Sequence, residues 1–183
     1  MPITLNGSGT ITGISAGGLP DAIITQPELA AGVAGNGPAF RVYLGTVQTL
    51  SNATDTKVNL STEIFDTASC FNNTGATVGG IPAYAFLPNV AGYYQFNANI
   101  YATATVALSY NFIQIWKNGS QDSAVIYGPY SGTSQIGSVS ALIYLNGTTD
   151  YVELYSQISG TGTLQIGASS SYTFFSGSLA RAA

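Results

Sequence analysis

From Tyr94 to Val106 the chain reads YQFNANIYATATV. Tyr94, Phe96, Ala98, Ile100, Ala102, Ala104 and Val106 alternate with Gln95, Asn97, Asn99, Tyr101, Thr103 and Thr105. Successive side chains of a strand point to opposite faces, so this alternation predicts one strand with a dry face and a wet one. The wet face carries no charge.

The same period runs from Ala39 onward. FRVYL (40–44) alternates Phe40, Val42 and Leu44 against Arg41 and Tyr43. Further strands are predicted over 56–60, 64–69, 83–88, 109–120, 123–127, 163–167 and 171–179, with a second hairpin over 137–158. Asn118-Gly119 and Asn146-Gly147 are the dipeptides that favour tight hairpin turns, because both residues tolerate positive φ. About ten strands with turn signals every 8–12 residues or so predict an all-β sandwich or jelly roll. One strand breaks the pattern. NFIQIW sets Phe112 and Trp116 on one side and Ile113 and Ile115 on the other, with only Gln114 interrupting. Two dry faces mean a covering loop or a second subunit.

Residues 1–38 differ. Gly is frequent, apolar residues are sparse, and no core can close. TQPELAAG offers a helix start, with Thr25 as N-cap and Glu28 at the capping-box position, but one or two turns are marginal alone. Such a segment is either disordered or packed against copies of itself or a partner. GVAGNGP follows as a linker. The expected organisation is a stem over 1–38 and a head over 39–183.

Charge narrows the function. Only 7% of residues are charged, against about 25% in an ordinary domain. The four bases (Arg41, Lys57, Lys117, Arg181) are scattered and the net charge is -4. That set cannot neutralise a run of phosphates, so nucleic acid is not an expected partner. No apolar run reaches membrane-spanning length, so no membrane insertion is expected. The chain has no His, and Cys70 is its one cysteine. Nucleophilic catalysis with a His base and Cys/His metal sites are therefore excluded, and no cofactor is expected. A glycosidase needs two carboxylates across one bond. Asp150 and Glu153 fall on opposite faces of a strand, and Glu63 and Asp66 meet only if their segment turns. Tyr94 and Tyr144 are expected inside the fold or at subunit contacts. Tyr127 and Tyr130, in VIYGPYSGTSQ, flank a Gly-Pro turn and could stack on and hydrogen-bond a sugar. The alternative is that these rings pack at a subunit seam.

Five segments in order, AFRVYL, PNVAGYYQFNANI, IQIWKNG, GSVSALIYLNGTTDYVEL and TFFSGSL, resemble the globular head of the complement subcomponent q family, related in fold to the tumour necrosis factor ligands. Pro88, Gly92, Tyr94 and Phe96 match its Pro/Gly/Tyr/Phe signature. Lys117-Asn118-Gly119 matches its hairpin, and Phe175, Gly177 and Leu179 its terminal motif. The family's Gly-Asp pair is displaced here to Asp150, so no calcium site is carried over. NGSGTITGISAGGLPD (6–21) resembles attachment segments of bacteriophage tail fibres and related virion proteins. No charged stretch followed by an apolar run opens the sequence, so no signal peptide is expected, which fits a protein released by lysis.

The resemblances imply a homotrimer of jelly rolls preceded by an extended attachment segment. Phe112, Trp116, Tyr94 and Tyr144 would lie at the trimer interface. Leu19, Ile23 and Leu29 would dock on another virion protein. Tyr127 and Tyr130 would bind a host cell-surface glycan or protein. The implied function is a non-enzymatic fibre or spike of the virion. A structural capsid-decoration or tail spike without receptor recognition and a polysaccharide-degrading enzyme are the alternatives.

Overall fold

The structure, a computed structural model, describes residues 37–183. Leu19, Ile23 and Leu29 lie outside the described residues. The rest is all-β, with thirteen strands in two antiparallel sheets. The seven-stranded sheet is built on β7 (Gly92–Ala104). One edge of β7 pairs along its length with β10 (Ser134–Leu145). The other edge pairs with β13 (Phe174–Ala182) and then β12 (Leu164–Ile166). β1 (Ala39–Tyr43) and β4 (Thr62–Asp66) extend the sheet beyond β13, and β2 (Gln48–Leu50) extends it beyond β12. The six-stranded sheet centres on β11 (Val152–Thr161) and β8 (Ala107–Lys117), with β9 (Ser120–Tyr127) on the outer side of β8. Short strands β3 (Thr56–Lys57), β5 (Phe71–Asn72) and β6 (Ala85–Phe86) complete it.

The alternation in β7 is realised residue by residue. Tyr94, Phe96, Ala98, Ile100 and Ala102 are buried between the sheets, and the Gln/Asn/Tyr/Thr set faces out. The strand stops at Ala104. Val106, expected on the dry face, sits in the turn to β8 and is 66% exposed. There the Thr105 hydroxyl accepts the Thr163 N–H, which ends the ladder. From the other sheet Ile113, Ile115, Leu154 and Ile158 complete the core. Its centre is aromatic: Phe40 lies 4.4 Å from Phe86 and 5.2 Å from both Phe71 and Phe175, centroid to centroid.

The two Asn-Gly turns part company. Asn118 (φ 52°) and Gly119 (φ 76°) close the tight β8–β9 hairpin, as expected. Asn146-Gly147 does not make a hairpin. β10 pairs with β7 and β11 with β8, so this loop crosses between the sheets. Asn146 Oδ1 accepts the N–H groups of Thr148, Thr149 and Asp150. Gly147 (φ 74°) packs where a Cβ would stand 2.5 Å from the Ala91 nitrogen. Two or three strand residues such as β2 and β5 escaped prediction because their pairing partners hold them, not their own pattern.

Candidate functional site

Two outward faces and one sheet edge carry the side chains that chemistry could use. On the seven-stranded sheet, β7 and β10 stand in rungs: Tyr93 opposite Tyr144, Gln95 opposite Leu142, Asn97 opposite Ser140, Tyr101 opposite Ile136. Tyr93 and Tyr144 rings lie 5.4 Å apart. Leu142 is 59% exposed at its rung. The middle rungs are tied by neutral hydrogen bonds: Gln95 Nε2 donates to Ser140 Oγ (2.8 Å), and Ser140 Oγ donates to Asn97 Oδ1 (3.0 Å). Beside them a groove of about 230 Å³ runs over the small residues Ser176 and Ser178, walled by Phe65 and Arg41 on one side and Gln95 and Asn97 on the other. Arg41 is tied down, its guanidinium 4.1 Å from the Phe174 ring centroid.

The outer face of the six-stranded sheet is built differently. Phe112, Gln114 and Trp116 alternate outward on β8; Glu153, Tyr155 and Gln157 do so on β11; Lys57 pairs alongside Tyr155. Trp116 and Tyr155 stack with centroids 4.0 Å apart and planes at 14°. Beneath them Gln114 is wholly buried, although it points away from the core. The Trp116 indole N–H donates to Gln114 Oε1 (2.9 Å), and the Gln114 amide donates to Asp55. Gln157 Nε2 also donates to Asp55 (3.1 Å), and the Tyr110 hydroxyl donates to Gln157 Oε1 (2.7 Å). Glu153, 2% exposed, pairs with Lys57, whose ammonium also donates to the Ala83 carbonyl. Burial, then the charge of Glu153, pushes the Tyr155 phenol above its usual range, with Tyr151 and Asp55 adding to it.

At Gln114 the second dry face of NFIQIW is thus covered within the chain, while Phe112 and Trp116 stay partly exposed. Rings and carboxamides of β8 and β11 shield each other, and no neighbour is needed to explain Gln114. The four residues assigned together to a trimer interface lie in three places. Phe112 and Trp116 are half-buried on the six-stranded sheet. Tyr144 is exposed on the seven-stranded sheet. Tyr94 is a correction: it is fully buried inside its own sandwich, its hydroxyl donating to the Val90 carbonyl (2.8 Å), and it offers no surface to a partner.

Tyr127 and Tyr130 are not a pair either. Tyr130 is 41% exposed. Tyr127 packs against the core, and its hydroxyl accepts the Ser138 N–H (3.0 Å) while donating to the Ser138 carbonyl (2.7 Å). The even residues of β10 turn their backbone groups away from β7, because β7 residues such as Tyr101 bond toward β12 and β13. Tyr127 therefore caps one step of a free sheet edge, and Lys117 caps another through the Tyr144 carbonyl (2.8 Å). Blocking an open edge guards against strand addition. A Tyr127→Phe variant is expected to lose about 1–2 kcal/mol of stability, with faster hydrogen exchange at the Ser138 amide. Unchanged exchange there would contradict the capping role.

Among the described residues, Asp66, Asp150 and Glu153 of the candidate pairs are each engaged otherwise. Glu153 faces Lys57. Asp150 lies 3.0 Å from the Lys117 ammonium and accepts from Asn118 Nδ2 at 2.8 Å. Burial works to raise the Asp150 pKa, but the Asn118 bond and Lys117 outweigh it and leave the carboxyl below its ordinary range. Asp66 Oδ2 accepts the Phe71 N–H (2.6 Å) and holds a turn; burial first, and then this neighbouring charge, raises Glu63. Among the described residues no three His, Cys, Asp or Glu side chains are grouped to hold a metal ion.

The network of Asp55, Lys57, Gln114, Glu153, Tyr155 and Gln157 was missed in the sequence. Its only trace was the outward alternation Glu153, Tyr155, Gln157. What joins it to Trp116 is register between strands far apart in the chain.

No family model matches this chain, and no curated protein matches it by sequence. Solved structures do match. The globular domain of zebrafish complement 1qA protein superposes with a TM-score of 0.57 at 14% identity, covering 80% of this chain and 98% of that one. Murine APRIL superposes at 0.57 with 10% identity, covering 78% and 98%. PRD1 vertex protein superposes at 0.50 with 18% identity, covering 78% and 72%. Together with the two antiparallel sheets, these likenesses show that the described residues fold as a jelly-roll sandwich of the complement and tumour necrosis factor type.

Proposed function

We propose that this chain is a non-enzymatic fibre or spike protein of a virion, whose head forms a homotrimer and binds a host cell-surface receptor, with glycan as the receptor class. The observation that carries the reading is the outer face of the seven-stranded sheet. It is broad, its middle rungs are uncharged, and exposed Leu142, Tyr93 and Tyr144 cluster at one end. Apolar and aromatic residues gathered on an exposed face mark a protein contact. We assign that face, including Tyr144, to contacts between copies; the jelly-roll likenesses support this assembly. The residues before 39 would then attach the head to another virion protein.

A neutral polar surface also suits a particle that meets changing salt, since screening weakens ion pairs and leaves hydrogen bonds nearly untouched. The likeness in fold to PRD1 vertex protein favours a second reading, a structural virion spike without specific receptor recognition. Binding of the labelled, intact protein to a panel of bacterial cells separates the two. Saturable binding restricted to some strains supports the receptor reading, and strain-independent or absent binding supports the structural one. Leu142→Glu, which places a charge in the assigned contact, is expected to convert the assembly to single chains with an unchanged far-ultraviolet spectrum. An unaltered mass would remove Leu142 from the contact.

A further inference from the structure

We propose that the outer face of the six-stranded sheet, at Trp116, Tyr155, Gln157 and Asp55, is a binding site for a neutral saccharide. The proposal rests on the receptor reading above and moves its ligand site away from Tyr127 and Tyr130.

Outward positions of a sandwich strand are ordinarily wet. Here Gln114 is fully buried and Glu153 is 2% exposed on the solvent side of their strands. Burying such groups is costly unless every bond is made, and apolar residues would close the surface with less penalty. The bonds are made, and two of them hold an aromatic side chain. Gln114 takes the indole N–H of Trp116. Gln157 takes the hydroxyl of Tyr110. Asp55 holds both carboxamides, and Lys57 stands 5.9 Å from the Tyr155 ring centroid on the pair it makes with Glu153. The network thus fixes aromatic groups in place before any ligand arrives, and preorganisation of this kind lowers the entropy cost of binding.

The valences left over match a sugar. A pyranose has an apolar C–H face and a rim of hydroxyls. Trp116 and Tyr155 remain partly exposed. Among the described residues the Tyr155 hydroxyl and Asp55 Oδ2 make no hydrogen bond within the chain, and Asp55 is exposed. Each ring covers one face of the other, so a sugar would stack on the part of the pair left exposed, with an acceptor and a hydroxyl at its rim. The Glu153 charge is compensated by Lys57, so the free charge at the rim is the Asp55 carboxylate, which accepts from sugar hydroxyls and repels an anionic ligand.

Trp116 is the chain's single tryptophan, so its fluorescence reports on this site alone. The intact protein is titrated with neutral hexose and N-acetylhexosamine oligosaccharides. A saturable change is expected with at least one of them. Tyr155→Ala should weaken its midpoint about tenfold, the scale of one lost stacking contact. Asp55→Asn, an exposed substitution that keeps the carbonyl acceptor, should weaken it as well. Tyr130→Ala should leave it unchanged. No response to any saccharide overturns the site, as does a response that neither Tyr155→Ala nor Asp55→Asn alters. A response without adsorption to cells keeps the site and removes the receptor role. Adsorption without a response does the reverse.

Discussion

Phe40→Ala is expected to destabilise the head by about 3–5 kcal/mol, the usual loss when a buried phenylalanine is truncated. Phe40 is completely buried, and its ring touches members of both sheets: Phe96 and Phe175 from the seven-stranded one, Phe71 and Phe86 from the six-stranded one. Removing it opens a cavity at the point where the sheets are held together. Four neighbouring rings lose a partner at once, and rigid rings collapse poorly into a void. Denaturant unfolding should show a lower midpoint with an unchanged slope. A loss below about 1 kcal/mol would mean that the aromatic cluster is not the keystone of the sandwich.

Gly177→Val should also destabilise the head, for the opposite reason. In the register of the sheet Gly177 lies between Phe40 on β1 and Phe96 on β7. A Cβ there would stand 2.6 Å from the Phe96 ring and 2.8 Å from the Phe40 ring. Glycine is thus the spacer that lets two rings share three adjacent strands. Overpacking of this kind costs roughly 1–3 kcal/mol, occasionally more, and two rings must move here. The double variant Phe40→Ala, Gly177→Val should be less destabilised than the sum, because the first substitution vacates part of the space the second needs. Strict additivity in denaturant unfolding would contradict the shared-space account.

That glycine also shows why some of the fold was legible. The terminal motif Phe175, Gly177, Leu179 is one inward face of β13, and Gly92 of the earlier signature sits where a Cβ would stand 2.5 Å from the Arg181 carbonyl. Alternation and glycine spacing are local, so β7, β13 and the Asn118-Gly119 turn could be read directly. Asn146-Gly147 carries the same dipeptide but spans between sheets, and only tertiary contact with Ala91 decides that. The sequence leaves Tyr94 either inside the fold or at a subunit contact; a single backbone carbonyl, that of Val90, satisfies its hydroxyl in the core and decides for the inside. The doubly dry strand was read correctly as unusual. Its cause was unreadable, because the partners of Gln114 and Trp116 are Asp55 and Tyr155, distant in sequence and joined by register alone.

In the proposed assembly the face bearing Leu142 and Tyr144 joins copies of this chain into a trimeric adhesive head, leaving the Trp116 face outward. The most direct measurement is the mass of the intact protein in solution by light scattering, across a dilution series. Three times the 18.8 kDa chain mass, held on dilution, is expected of a trimer. A single chain at every concentration would contradict it.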